Sequence, residues 1–318
     1  MTLPGHHRPG GGFRNPPGSP RQTATWRDFL RFLLVDMRRA RPPVIPPGHI
    51  AANPPDLAAL PADHVSWLGH ACFALRIGGK LVLTDPYLGR TAGPFGLGPK
   101  RYVPPPLAAR DLPRCDLIVL SHNHYDHLDS GALAHYRFKA DTPVACPLGL
   151  ASLLRKAGFA NVVEMDWWQH KLVAELDVAC LPAVHFSGRG LFDRNRTLWA
   201  SFGIRSAQKA VWFGGDSAAG TVFAEIGARA GPFDLALVGI GAYEPRAIMQ
   251  ASHATPEEAV AIARAIGAKR ALGSHWGTVM LTPEDPFEAP VRFARAARDA
   301  QYGEANAITL PIGGIAAI

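Results

Sequence analysis

The chain has 318 residues, of which 47% are hydrophobic and 19% are charged. This composition is typical of a folded globular protein and excludes a disordered chain. The net charge is +7, but residues 1–50 hold eight arginines against two aspartates and so carry +6 of it. Because the remaining residues are nearly neutral, we do not expect the main domain to bind nucleic acid.

Cysteine usage and the apolar runs bear on the cellular location. The four cysteines are widely spaced and form no C-x-x-C pair, and three of them lie in apolar runs. This pattern predicts reduced core thiols in a cytoplasmic protein. The longest apolar runs are too short to span a bilayer, and residues 1–20 lack the apolar segment of a secretory signal. We therefore expect a cytoplasmic protein, with contact at the inner membrane surface as a further option.

Residues 1–50 are predicted to form a basic, Pro/Gly-rich arm that precedes a domain over residues 51–318. Residues 1–22 are too polar to fold alone, and a helix is predicted at about 23–39, followed by a proline-rich linker at 41–47. The helix has arginines on one face and apolar residues at helical spacing on the other: Trp26, Phe29, Leu30, Leu33, Leu34 and Met37. This apolar face would pack on the main domain or on a partner subunit of an oligomer, or lie on an anionic membrane surface.

The predicted strands begin with an antiparallel meander. Its strands are 64–68, 72–77 and 80–84, with Gly78–Gly79 as a hairpin turn, and a long loop over 86–112 follows. After a buried strand at 115–120, helices are predicted near 130–138, 148–157, 218–229, 256–266 and 286–300. The intervening strands are predicted at 142–146, 161–165, 169–175, 177–184, 199–206, 209–214, 234–238 and 269–273. These elements predict an α/β fold of two mixed sheets packed face to face and covered by helices.

The loop after the strand at 115–120 is rich in metal-binding side chains. It reads Ser-His-Asn-His-Tyr-Asp-His-Leu-Asp and contains His122, His124, Asp126 and His127. One tight loop cannot wrap all four groups around a single tetrahedral ion, but it can divide them between two neighbouring ions. We therefore expect a metal site of two ions here.

Two ions need more ligands than one loop supplies, and other strand ends offer them. His185, Asp216 and His275 each follow an apolar run, and two glycines before Asp216 let the backbone turn closely. A single histidine at a strand end is more often a hydrogen-bonded structural residue than a ligand. Three such positions together with the loop favour a shared metal site.

The order of these residues, with Thr84-Asp85-Pro86, resembles the metallo-β-lactamase-fold hydrolases. The resemblance covers most of residues 63–318. Three further segments are similar to the N-acylphosphatidylethanolamine-hydrolysing phospholipase D branch and its bacterial relatives: Pro182–Arg189, Tyr243–Arg246 with His253–Ala259, and His275–Thr278.

The resemblance implies an αββα sandwich with two metal ions at the strand ends. It assigns His122, His124 and His185 to one ion, Asp126, His127 and His275 to the other, and Asp216 to a bridge between them. Zinc suits these ligands best, and iron or manganese also fits. Asp85 is expected to orient a ligand imidazole.

The resemblance further implies catalytic roles for Asp126, Asp216 and His253. His253 would face the substrate phosphate, or else serve only as a neighbour of the helix start at Thr255. His70 and Arg189 are interpreted as structural or peripheral, with a place in the lining of the cleft as the alternative.

The expected activity is hydrolysis by a metal-bound hydroxide. The leading substrate class is a phospholipid-like phosphodiester, cleaved as by a phospholipase D. A lactonase or another carboxyl-ester or amide hydrolase is the alternative, because the same nucleophile attacks carbonyls. A metal-binding protein without catalysis is a third and weaker hypothesis.

Overall fold

The computed structural model describes residues 4–40, 43–53 and 55–318. Arg41 and Pro42 of the predicted linker lie outside these residues. The strands are β1 (His64–Trp67), β2 (Phe73–Ile77), β3 (Lys80–Thr84), β4 (Leu117–Val119), β5 (Val144–Pro147), β6 (Val162–Met165), β7 (His170–Val173), β8 (Leu176–Leu181), β9 (Ser201–Arg205), β10 (Ala210–Phe213), β11 (Phe233–Gly239), β12 (Ala268–Ser274), β13 (Ala307–Ile308) and β14 (Ile315–Ala317). The α-helices are α1 (Trp26–Arg31), α2 (Met37–Arg39), α3 (Ser130–Leu133), α4 (Ala151–Lys156), α5 (Val222–Ala230), α6 (Arg246–Met249), α7 (Pro256–Ala265) and α8 (Glu288–Asp299).

The strands form two mixed sheets of seven strands each. The first has the order β14-β1-β2-β3-β4-β5-β6, and the second has the order β13-β12-β11-β10-β9-β8-β7. In each sheet one half is antiparallel and the other half is parallel. The predicted sandwich of two mixed sheets flanked by helices is confirmed.

Strand β4 shows how the sequence separates the layers. Leu117 and Val119 belong to the core between the sheets, whereas Ile118 and Leu120 belong to a second cluster that includes Leu133 of α3. Successive side chains of a strand point to opposite faces, so an uninterrupted apolar run serves a strand that is covered on both sides. The parallel half of the first sheet is therefore buried on both faces.

The predicted helix at 130–138 is wrong in its length. Asp129 caps α3 by accepting the N–H of Ala132 at 2.9 Å, and the helix ends at Leu133. Tyr136 then turns into the core, where its hydroxyl accepts the N–H of Cys115 at 2.8 Å. The burial and hydrogen bond of Tyr136 therefore favour ending the helix over extending it to residue 138. Cys115 and the other three cysteines are buried and free, as predicted.

The N-terminal arm lies against the domain. The side chain of Phe13 is buried, and the backbone N–H of Phe13 donates to the carbonyl of Asn195 at 2.8 Å. Farther along, Gln22 donates to the carbonyl of Ile248 at 3.0 Å, which fixes the start of the N-terminal helix beside α6. Specific hydrogen bonds thus hold a segment whose composition could not support a core of its own.

The N-terminal helix runs from α1 through a π-helical segment, Phe32–Asp36, to α2. Thr25 and Asp28 form a capping box at its start. No residue of α1 or of the π-helical segment is buried, and 68% of Trp26 and 59% of Leu33 are exposed. Among the described residues, no helix combines the length and the apolar character needed to cross a membrane.

Candidate metal centre

The seven predicted ligands converge at one edge of the sandwich. The loop after β4 supplies four of them, and His185, Asp216 and His275 follow β8, β10 and β12 of the other sheet. Gly215 allows the two sheets to approach, since its φ is 56° and a side chain there would collide with Ser121. Both sheets therefore contribute to a single cluster.

Three imidazoles form the first set of donor atoms. Nδ1 of His124 lies 2.8 Å from Nε2 of His122 and 3.2 Å from Nε2 of His185. The orientation of His185 is fixed from behind, because its Nδ1 donates to the carbonyl of Ser252 at 2.9 Å. Such a hydrogen bond leaves Nε2 unprotonated and available to a cation.

A carboxylate and two imidazoles form the second set. Oδ2 of Asp126 lies 3.7 Å from Nε2 of His127 and 3.8 Å from Nε2 of His275. Asp85 lies behind this set: its Oδ2 is 2.5 Å from Nδ1 of His127, and its Oδ1 accepts the N–H of Ser121 at 2.7 Å. The position of Asp85 is therefore the one expected for a carboxylate that orients a ligand imidazole.

Asp216 lies between the two sets. Its Oδ2 is 3.0 Å from Nε2 of His127 and 3.7 Å from Nε2 of His185, while its Oδ1 is 3.1 Å from Nε2 of His275. One carboxylate thus faces donor atoms of both sets. This is the geometry that a bridging ligand requires.

The donor atoms fit metal ions. Nε2 of His127, Nε2 of His275 and Oδ1 of Asp216 are buried. Although the Asp216 carboxylate lies 3.0 and 3.1 Å from these two rings, none of the three atoms makes a well-directed hydrogen bond among the described residues. Leaving such atoms unpaired is costly, so a partner is expected. Donors around one tetrahedral zinc lie roughly 3.3 Å apart, which falls within the observed separations of 2.8 to 4.0 Å. The residues fit the expected ions, and their ligation stays a prediction.

The charges of the cluster also favour cations. Burial acts to lower the pKa of His127, but the carboxylates of Asp216, Asp126 and Asp85 outweigh burial and raise it well above its ordinary value. Burial acts to raise the pKa of Asp216, yet His127 and His275 hold it well below its ordinary value. The centre of the cluster therefore stabilises positive charge.

His70 belongs to the cluster, although sequence reasoning interpreted it as structural or peripheral. Its Nε2 lies 2.8 Å from Oδ2 of Asp126, and burial lowers its pKa to about 3. The sequence did contain a signal. Strand β2 runs antiparallel to both β1 and β3, so the turn after β1 reaches the same edge as the end of β3. A histidine in that turn must lie near Asp85.

His253 lies between the start of α7 and the donor cluster, and its contact with a substrate phosphate stays a prediction. It lies just before α7, where Thr255 and Glu258 form a capping box, and its ring centroid is 5.1 Å from those of His185 and His275. Arg246 holds this segment in place. It donates to the carbonyl of His253 at 3.0 Å and forms two 3.0 Å bonds with Glu258.

Arg189 braces the metal loop from outside. Its guanidinium donates to the carbonyls of Asn123 and Leu128, each at 2.8 Å, and lies 3.7 Å from the ring centroid of Tyr125. These contacts agree with the structural role that was predicted for it.

A cavity of about 480 Å³ opens onto the cluster. His124, Asp126, His185, Asp216 and His253 line its base, and Arg194 adds a positive charge. The apolar walls come from several parts of the chain: Phe29 and Phe32 of the N-terminal helix, Phe186, Ile248, Met249 and Leu281. The cavity thus joins a metal-suited base of histidines and carboxylates to an apolar wall.

Two mixed sheets with a His/Asp cluster at their strand ends form the metallo-β-lactamase fold. A profile of the beta-lactamase superfamily domain matches residues 80–276, and the chain belongs to this family.

Known proteins are similar to this chain over most of its length. An uncharacterized protein of Mycobacterium tuberculosis (strain ATCC 25618 / H37Rv) is 38% identical over 87% of this chain and 75% of its own length. N-acyl-phosphatidylethanolamine-hydrolyzing phospholipase D 1 of Caenorhabditis elegans is 36% identical over 71% of this chain and 67% of its own length. Igni18, a metallo hydrolase of Ignicoccus hospitalis KIN4/I, shares the fold with a TM-score of 0.58 and 20% identity, over 80% of this chain and 97% of its own.

The contact between Asp85 and His127 yields a prediction. Asp85→Asn should lower the affinity for the ion at His127 by about 10- to 100-fold, because groups behind a ligand imidazole tune its orientation and basicity. Titration with a competing chelator measures the affinity. The exposed Asp177→Asn is the matched control and should leave the affinity unchanged. Equal affinity in Asp85→Asn and the unmodified chain would contradict this role.

Proposed function

We propose that this protein is a binuclear metal-dependent phosphodiesterase that cleaves phospholipid-like substrates in the manner of a phospholipase D. The observation that carries the proposal is the placement of Asp216 between two sets of donors at the base of a half-apolar cavity. Two divalent ions, zinc being the best match to these donors, would supply Lewis acidity and a water of lowered pKa.

The residues of the chain keep the site ordered before substrate binds. Asp85 orients His127, and the carbonyl of Ser252 orients His185. Each ring therefore presents Nε2 to the centre without rearrangement, which is the pre-organisation that favours charge stabilisation in a transition state. Asp126 and Asp216 contribute as ligands at the reacting centre.

The cavity suits a lipid phosphodiester. Arg194 offers a cation for an anionic phosphate, and Phe29, Phe32 and Met249 offer apolar contact to acyl chains. The similarity to a phospholipase D that hydrolyses N-acyl-phosphatidylethanolamine supports the same class of substrate. A small lactone would leave much of the apolar wall unused.

His253 is proposed to hydrogen-bond the phosphate. Burial lowers the pKa of His253 to about 4, so its imidazole is neutral at pH 7 and keeps one N–H donor. A neutral donor stabilises charge that develops on a phosphate oxygen. Arg246 acts through the backbone of His253 and is therefore a positioning residue.

The N-terminal helix is proposed to contact an anionic membrane surface. Five of its apolar residues are exposed: Trp26, Phe29, Leu30, Leu33 and Leu34. Phe29 and the half-buried Phe32 also line the cavity. Phe192 is 93% exposed, and the groove that it lines shares Arg194 with the cavity. An apolar rim with arginines nearby is the combination that binds anionic lipid surfaces.

Substitution of Asp216 tests the chemistry. Asp216→Ala should remove the bridge, lower the number of ions held at the seven-residue centre below two, and lower kcat/KM for a phosphodiester about 10³-fold. Elemental analysis measures the bound metal. Activity is measured as hydrolysis of bis-p-nitrophenyl phosphate, of N-acylphosphatidylethanolamine vesicles and of a panel of lactones. Asp177→Ala serves as control. Undiminished turnover in Asp216→Ala would refute the mechanism, and faster turnover of lactones than of phosphodiesters would favour the alternative substrate class.

Two substitutions distinguish the proposed roles of His253. His253→Gln keeps an N–H donor and should retain most of the activity, whereas His253→Ala should lower kcat about 10²-fold. The comparison is made at saturating substrate, with metal content measured in both variants. Equal losses in the two variants would point to proton transfer by the imidazole instead of hydrogen bonding.

Substitutions in the exposed helix test membrane docking. Leu30→Ser with Leu33→Ser should weaken binding to phosphatidylglycerol vesicles at least about 10-fold, because each leucine loses apolar contact. Hydrolysis of soluble bis-p-nitrophenyl phosphate should be unchanged, since neither residue lines the cavity. Leu172→Ser, which alters an exposed leucine on β7, is the control. Unchanged vesicle binding together with dissociation of an oligomer would instead assign this helix face to subunit packing.

A further inference from the structure

A second group of metal-binding side chains lies where the N-terminal arm meets the domain. Nε2 of His6 lies 2.7 Å from Oδ1 of Asp166, and Nε2 of His7 lies 2.7 Å from Oδ2 of the same carboxylate. These donor atoms all lie within 4.8 Å of one another, and the side chains are only 11% to 19% exposed. None of the three residues belongs to the seven-ligand centre.

The surrounding contacts fix these donors in place. The ring of His6 stacks on Trp167 with a centroid distance of 4.3 Å, and the ring of His7 packs edge-on against Phe13 at 5.0 Å. On the domain side, Oδ1 of Asp166 accepts the N–H of Trp167 at 2.8 Å. A site whose rotamers are set by neighbouring groups binds an ion without first losing side-chain freedom.

We propose that His6, His7 and Asp166 bind a third divalent cation, zinc or a similar transition metal, that fastens the N-terminal arm to the domain. Two imidazoles and one carboxylate are donors that zinc accepts, with water completing its coordination. Without the ion, each Nε2–H donates to one carboxylate oxygen. With the ion, the metal takes the place of these two protons, and each imidazole carries its proton on Nδ1.

An ion at this site would also affect the seven-ligand centre, because the same arm contacts a residue of that centre. Farther along the same arm, Oδ1 of Asn15 accepts the backbone N–H of His185 at 3.0 Å and the indole N–H of Trp199 at 2.9 Å. Asn15 also lines the cavity. Fastening residues 6 and 7 therefore keeps Asn15 against a residue of the main cluster.

Metal counting tests the site directly. The unmodified chain, equilibrated with buffered free zinc and then analysed for metal, should hold one more zinc per chain than His6→Gln with His7→Gln. Asp166→Asn should show the same loss. His170→Gln is a matched control, because His170 pairs with one carboxylate, Asp177, at an exposed position, and this variant should keep the full count. Equal zinc in the double variant and the unmodified chain would overturn the proposal.

Limited trypsin digestion tests the role of the ion in the arm. Arg14 lies in the fastened segment and is followed by Asn15, so tryptic cleavage after Arg14 reports arm opening. Zinc at about ten times its Kd should slow this cleavage about 10-fold in the unmodified chain and leave it unchanged in His6→Gln with His7→Gln. If zinc slows cleavage equally in both, or in neither, the three residues form only a hydrogen-bonded contact and the metal site is refuted.

Discussion

The buried carboxylate of Asp216 is the group on which the rest of this structure depends. A charge in this position is costly unless it is paired on all sides. His127 from the first sheet and His275 from the second both face its two oxygens. The compensation of one charge therefore requires both sheets, and the functional centre is also a joint between the two halves of the fold.

The backbone around the centre is strained, and tertiary contacts maintain the strain. The backbone φ angles of His70, Asp85 and His275 are 55°, 31° and 65°, values that residues other than glycine rarely adopt. The turn at His70 is held from the opposite sheet: its N–H donates to Thr278 at 2.9 Å, and its carbonyl accepts the N–H of His275 at 3.1 Å. Unfavourable backbone conformations thus cluster where the donor atoms must meet.

The sequence was sufficient to predict the two sheets and to group the ligands at one edge, because the apolar runs and the residues after them are local patterns. The role of Asp85, which directly follows β3, was predicted from the family resemblance. To predict that His70 lies at the site, the directions of β1, β2 and β3 are needed as well as the apolar pattern. The contact of Asn15 with His185 could not be predicted, because one polar hydrogen bond between residues 170 positions apart leaves no periodic signal.

The metal donors and part of the cavity wall come from different regions of the chain. The seven donors lie within residues 80–276, the span shared with the beta-lactamase superfamily domain. The cavity, by contrast, takes Asn15, Phe29 and Phe32 from residues that precede this span. Because loops and arms vary around a metal centre more readily than its ligands do, segments outside the shared domain are free to reshape the cavity wall. In this chain the arm is such a segment, because its Phe29 and Phe32 form part of the cavity wall beside the metal-suited base.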